Sequence, residues 1–258
     1  MLPKILRPIK VNDLIRIGNK FDGGYVINKS IFKKTKQLVT FGLFDEFSFE
    51  QDLKKKIPKL EVFVFDHTVN INFWIKNTFR WLFHFLINRK NFSRIFRYLK
   101  YYNFFSKKKI IHIKKKIVAS KRREPNSISI NEIIKDYNIV CENCIIKIDI
   151  DLDEYRILDD LIKFNFLIII IEFSHIDLHL DKIINFIKKN KKMSIIHVHG
   201  NNFDWPDENQ NPIHLEVTFL NNRLCKVGKK KSNQIYPIKG LDYPNDFKKP
   251  EINLKFSK

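Results

Sequence analysis

An α/β fold built on a mostly parallel sheet is the class this sequence predicts. Three observations carry that prediction. Short β-branched apolar runs such as QLVTFGL, EVFVFD and IIKIDI recur along the chain and suit strands buried on both faces. Segments of helical period lie between them. One of the runs ends in Asp66 and another holds Asp149 near its end, where open α/β sheets place their ligands.

The clearest unit is Cys144 to Leu158, CIIKIDIDLDEYRIL. Its first half is an apolar run broken only by Lys147 and Asp149, and its second half switches to helical spacing at Ile157, Leu158, Leu161 and Ile162. Asp151 and Asp153 in the turn suit the positive end of a helix. Asp149 lies within the apolar run, where an unpaired buried acid would be costly.

Taken in order, Arg16 to Val26, RIGNKFDGGYV, reads as two extended pieces around an Asp-Gly-Gly turn, because adjacent glycines reach positive φ without steric cost. Gln37 to Leu43 is the first strand of the sheet. Ser48 and Gln51 have capping-box spacing and open a helix ending near Pro58, and Glu61 to Asp66 is the second strand. Asn72 to Phe105 breaks the pattern. Ile75, Phe79, Leu82 and Leu86, then Phe92, Ile95, Phe96 and Leu99, keep helical spacing and mark two inserted amphipathic helices. Ile110 to Val118 is the third strand, Lys121 to Pro125 a basic loop, and Ser129 with Glu132 a capping box for a helix to about Tyr137. After the central strand and helix come a fifth strand at Leu167 to Glu172, a helix at Asp181 to Lys189, and strands at Ser194 to His199 and His214 to Leu220. Leu241 to Asn245, LDYPN, is a loop.

A chain of 258 residues, 44% hydrophobic, can bury a large core, and one domain over 1–258 with an insertion at 70–109 is more economical than two folds. The net charge of +20 points to an anionic partner, but it is unevenly placed: His67 to Arg123 holds 16 Lys and Arg and no acid. Cys141 and Cys144 form a CxxC with neither a second pair nor a nearby His, so they and Cys225 read as structural thiols. The start, MLPKILRPIKVNDL, lacks the apolar core of a signal peptide, and Phe164 to Phe173 is too short to span a membrane. A cytoplasmic setting is expected, peripheral at the inner membrane face if the insertion binds lipid.

The order of seven strands resembles the class I methyltransferase type of Rossmann-like sheet, and the motifs RIGNKFDGGYV, TFGLFDEFSFE, VFVFDHT, IIKIDIDLDEYRIL, IIEFSH, IIHVHGNNF, LEVTFL and LDYPN, in that order, resemble the FkbM-type methyltransferases. The resemblance runs from about Arg16 to Phe256 outside the insertion. It implies an S-adenosylmethionine-dependent O-methyltransferase acting on a saccharide or similar hydroxyl, hence polysaccharide modification. By the same resemblance Gly42, Leu43, Asp45 and Glu46 approach the methionine part of the cofactor, Asp66 takes the ribose hydroxyls, and His67 and Thr68 lie beside the ribose or adenine. A carboxylate at that strand end can accept from both vicinal hydroxyls whatever the family. Phe44 and Leu152 stand where the family usually has glycine, which raises the prospect of a narrowed or degenerate site.

His197 and His199 alternate on one strand and share a side, with Glu172 and His175 expected nearby. A hydrogen-bonded pocket wall explains them better than a metal site, and no metal is assigned. Asn201 and Asn202 at the strand end can orient a hydroxyl-bearing acceptor, with Asp22 and Tyr25 of the early hairpin completing the pocket. As base for the acceptor proton the sequence offers Asp149 or His199, with His199 preferred because its ordinary pKa lies nearer neutrality. The insertion, with Lys76, Arg80, Arg89, Lys90, Arg94, Arg97 and Lys100, is expected to dock at 72–105 on an anionic membrane or to pack as a lid, with Trp74 and Trp81 among headgroups in the first case. Two rival readings are a binding module that has lost turnover and, last, a nucleic-acid-binding protein using the basic insertion.

Overall fold

The computed structural model describes residues 1–87 and 96–257. A hairpin comes first: β1 (Leu14–Ile17) and β2 (Tyr25–Asn28) pair antiparallel around the turn that holds Gly23 at φ +84°. The main sheet then takes β3 (Gln37–Phe41), β4 (Glu61–Phe65), β5 (Ile110–Ile113), β8 (Cys144–Ile148), β9 (Ile168–Phe173), β10 (Met193–Asn201) and β11 (His214–Asn221). Its order is β10-β11-β9-β8-β3-β4-β5, and β11 runs antiparallel to both neighbours while all other pairs are parallel. Strand order reverses between β3 and β8, so the loops leaving their carboxyl ends part and open a crevice there.

Alternation along the strands makes two apolar layers. On one face Val39, Phe41, Ile146, Ile148, Ile169 and Ile171 pack with α4 (Ile130–Asp136), α5 (Glu154–Leu161) and α6 (Ile176–Lys189). On the other, Leu38, Val62, Val64, Ile145, Ile168 and Ile170 pack with the hairpin, α1 (Ser48–Lys56) and the insertion, which comprises α2 (Ile71–Ile87) and α3 (Arg97–Phe105).

Several local expectations are corrected. Ser48 and Gln51 form no capping box, because Phe47 occupies the cap and the Ser48 hydroxyl instead donates to the Gly23 carbonyl at 3.2 Å and accepts the Asn19 N–H at 3.0 Å. That serine ties α1 to the hairpin turn. Ile110 to Val118 is not one strand: the Lys115 N–H turns back to the Ile113 carbonyl, and β6 (Lys116–Val118) leaves the sheet to pair with β7 (Ser127–Ser129). α6 starts at Ile176 and not at Asp181, since Ile176 and Ile183 already belong to its buried stripe. The Ser129–Glu132 capping box forms as expected.

In the insertion, Trp74 and Trp81 point into the protein and not outward to headgroups. They are 3% and 6% exposed, and the Trp74 ring lies 4.9 Å from Tyr101 and 5.8 Å from Tyr98, which fastens α2 to α3. Arg89, Lys90, Phe92, Arg94 and Ile95 lie outside the described residues, as does the side chain of Leu86. Two polar ties join α3 to the sheet and to the loop after β3. His112 at the end of β5 donates from Nε2 to the Asp66 carbonyl at 2.9 Å and takes the Tyr101 hydroxyl at Nδ1 at 2.6 Å, the pattern of a neutral imidazole. Burial lowers its pKa and keeps it neutral. The second tie is Arg97, whose guanidinium reaches Asp45 and, at 3.8 Å, Glu46.

Candidate functional site

The loops leaving β3, β4 and β8 at their carboxyl ends close around a cavity of about 330 Å³. Gly42 opens it. Its φ is +80°, and a Cβ there would lie 1.7 Å from the Asp149 carbonyl oxygen, so only glycine lets the β3 and β8 loops meet. From that point Leu43, Phe44 and Glu46 on one side and Asp149, Ile150, Asp151 and Asp153 on the other line the wall. Asp66, His67 and Thr68 after β4, Lys115, Lys116 and Ile117 around β6, and Asp22, Lys147, Glu172 and Asn201 complete it.

Asp66 is the best-engaged acid of the group. Its Oδ2 accepts the backbone N–H of Leu43 at 2.8 Å and of Phe44 at 3.1 Å, and its Oδ1 accepts the N–H of Thr68 at 2.7 Å and the Thr68 hydroxyl at 2.6 Å. Burial pushes its pKa upward, but these four donors outweigh burial and hold it below the usual carboxylate range. Of the four, only the Thr68 hydroxyl can rotate away.

Lys147 is the penultimate residue of β8, 4% exposed, with Nζ 3.7 Å from Asp149 Oδ2 and 5.1 Å from the Tyr25 ring. Burial alone would neutralise it. Glu50, Asp149, Glu172 and Asp22 surround it and keep it an ammonium. Asp149 also accepts the Tyr25 hydroxyl at 3.1 Å, so its carboxylate is held from two sides just beyond the strand. Glu172 accepts from Asn201 at 3.1 Å, and burial beside Asp149, Glu216 and Asp22 raises its pKa well above normal. Asp22 is exposed to solvent, yet desolvation by the protein around it, with Asp149, Glu216 and Glu46 nearby, lifts its pKa to about 6.

Asp22, Phe44 and Glu46 also line a second, larger groove of about 920 Å³ with Phe21, Asn77, Arg80, Trp81, Arg97, Phe203, Asn245 and Phe247. Asp45 belongs to this groove and not to the cavity.

Gly42, Leu43, Glu46, Asp66, His67, Thr68, Asp22, Asp149, Glu172 and Asn201 therefore share one cavity, and Tyr25 stands directly behind Asp149. Besides Asp45, four expected residues do not join them. His199 is 1% exposed, clamped at 3.1 Å by both Glu216 and Glu251, and although burial opposes its charge these carboxylates raise its pKa to about 10. A protonated, enclosed imidazole cannot take a proton from an acceptor, which corrects the preferred base. His197 pairs with Asp242 of the LDYPN loop at 3.0 Å, and Asn202 donates to the carbonyls of Asp246, Lys249 and Pro250, so both fasten the C-terminal segment to β10. His175 is the left-handed residue before α6 and meets His214 edge-to-face outside the cavity. His197 and His199 lie within β10, which β11 and β9 separate from β8, and only Asn201 at the end of that strand reaches the cavity.

Lys147, Lys115, Lys116 and Asp151 were not assigned by the sequence reading. Lys147 had a signal, a charged residue inside a buried run. Asp151 and Asp153 have no capping bond to α5; Asp153 pairs with Arg156 at 2.6 Å, and both line the cavity. Phe44 (φ +48°) and Leu152 (φ +76°) hold the left-handed backbone that suits the glycines expected there.

The strand order, with an antiparallel β11 between β9 and β10, is that of the Rossmann-like methyltransferase fold. No family model matches the chain, and no curated protein matches it. Among solved structures the chain is similar to the fibrillarin pre-rRNA processing protein of Methanococcus jannaschii, at 12% identity over 82% of this chain and 84% of that one, TM-score 0.39. It is similar also to precorrin-6y C5,15-methyltransferase from Geobacter metallireducens, at 9% identity over 74% and 85%, TM-score 0.36. A third is M. jannaschii TYW2 in complex with AdoMet, at 10% identity over 83% and 90%, TM-score 0.37. The likeness extends to the fold alone.

Proposed function

We propose that the chain is an S-adenosylmethionine-dependent O-methyltransferase of the FkbM type, acting on a hydroxyl of a saccharide or similar acceptor. The observation that carries this is the charge of the cavity: in a protein of net charge +20, its wall holds Asp22, Glu46, Asp66, Asp149, Asp151, Asp153 and Glu172 against Lys115, Lys116 and Lys147. Such a wall favours a cationic ligand. A cavity at the strand-order reversal, bounded by the β3 and β8 loops that Gly42 lets meet, fits the sulfonium cofactor.

Within it Asp66 would receive ribose hydroxyls once Thr68 turns away, and the 42–46 loop would hold the amino-acid end. The cofactor, when bound, supplies an electrophilic methyl group for an in-line displacement. The chain's own work is to align and dry the acceptor and take its proton. Of the two carboxylates that fit the role of base, Asp22 lines both cavity and groove, whereas Asp149 is held by Tyr25 and Lys147. Asp22 removes the hydroxyl proton; a pKa of about 6 leaves it ionised at neutrality and close to the best value for a base. Asp149 fixes the local charge, and the groove receives the acceptor.

Calorimetric titration of the full chain with S-adenosylmethionine tests the cofactor, and transfer of labelled methyl to oligosaccharides tests the acceptor. Binding without transfer to any hydroxyl would leave the non-catalytic module, the reading that Phe44 and Leu152 at positive φ favour. No binding would end both.

A further inference from the structure

We propose that the outward face of α2 docks in the plane of an anionic lipid surface. Trp74 and Trp81 use one side of this helix to anchor it in the core. The opposite side is also apolar. Ile71, Ile75, Phe79 and Leu82 are 53%, 49%, 69% and 40% exposed, and Phe83 is exposed beside them. At 3.6 residues per turn these positions fill an arc of about 120°. Single exposed apolar residues are ordinary, but a stripe three turns long is not.

Charge selects the occupant. Lys76 and Arg80 follow the arc at its edge, both exposed, and no Asp or Glu occurs from His67 to Arg123. An apolar arc flanked by cations is the pattern of helices that lie in a membrane interface, where the stripe enters the acyl boundary and the cations meet headgroup phosphates. A second copy of this chain would bring two acid-free cationic segments together, which like-charge repulsion opposes. Nucleic acid would use the cations but leave the stripe in water. Leu99 and Tyr102 on α3, 53% and 60% exposed, extend the apolar surface of the insertion. Among the described residues no helix is long and apolar enough to cross a membrane, so α2 would lie in the surface.

Co-sedimentation of the full chain with vesicles tests this. Phosphatidylcholine vesicles containing phosphatidylglycerol should carry the protein down, pure phosphatidylcholine vesicles should do so about tenfold less, and added salt should weaken the binding. The double variant Phe79→Glu with Leu82→Glu should cut binding to the anionic vesicles at least about tenfold while leaving the circular dichroism spectrum and melting temperature unchanged. Should that variant fail to fold, Lys76→Glu at an exposed position must weaken binding as well. No sedimentation with anionic vesicles, or equal sedimentation of the wild type and the folded variants, would overturn the proposal. So would a dimer in ultracentrifugation that Phe79→Glu dissolves, which would give the face to a second copy.

Discussion

Asp66 accepts the backbone N–H of Phe44 at 3.1 Å, across a residue whose φ is +48°. A buried acid thereby holds in place a loop conformation that a phenylalanine adopts only with strain. Asp66→Ala should cost about 1–3 kcal/mol of stability by orphaning the Leu43 and Phe44 N–H groups, and should abolish S-adenosylmethionine binding. Urea unfolding and calorimetry on the same sample read the two effects. Full affinity in the variant would remove Asp66 from the cofactor site.

Thr68 supplies the movable fourth donor to Asp66, and a ribose hydroxyl must compete with it. Thr68→Val should therefore tighten S-adenosylmethionine binding by about two- to tenfold, the worth of one net hydrogen bond. Weaker binding would mean that the threonine hydroxyl contacts the ligand itself.

If Asp22 is the base, turnover should rise with pH through about 6 and then level, because only the ionised carboxylate takes the proton. Asp22→Asn should flatten that limb and lower kcat by about 10²- to 10⁴-fold with cofactor affinity little changed. A pH profile on labelled methyl transfer distinguishes this from mere loss of packing. An unaltered limb near pH 6 would move the role to Asp149.

Lys147 neutralises a buried nest of carboxylates, and Lys147→Met should destabilise the protein by about 3–5 kcal/mol at pH 8. At pH 5 the loss should be smaller. Burial raises the pKa of Glu50 and Glu172, so these acids bind protons more readily as pH falls and then depend less on the ammonium. Equal losses at both pH values would show that the ammonium is not their partner.

Glu154, fully buried at the start of α5, accepts the Ser174 N–H at 2.8 Å, and burial lifts its pKa to about 7. A carboxyl raised in the fold above its unfolded value favours folding at low pH, and that advantage is lost as pH climbs from about 4.5 to about 7. Glu154→Gln should recover on the order of 2–3 kcal/mol at pH 8 and little at pH 5, and urea midpoints across that range give the answer.

The sheet was legible because buried strands in a parallel sheet write continuous apolar runs, and those at Glu61, Cys144 and Leu167 are bounded by turns. Asp66 and Asp149 followed from their positions at strand ends, and Gly42 from the family resemblance. His197 and His199 misled because alternation reports that two side chains share a face and says nothing of how many strands separate that face from the crevice. The two tryptophans of α2 misled for a related reason: the helix is apolar on both sides, and a helical period cannot say which side meets the sheet. Lys147 was visible as an anomaly, yet its partners come from Glu50, Asp22 and Glu172, far apart in sequence.

Carboxylates within and lysines without make the approach of a ligand depend on ionic strength in opposite senses. S-adenosylmethionine carries a net positive charge and must cross the field of a +20 molecule before it meets the acids of the cavity. Salt should therefore speed its association by screening the outer repulsion, while the enclosed carboxylates, less screened, keep the dissociation rate nearly constant. The same salt should detach α2 from lipid. High ionic strength would thus give a faster-loading molecule free of any surface, and low ionic strength a docked molecule that loads slowly.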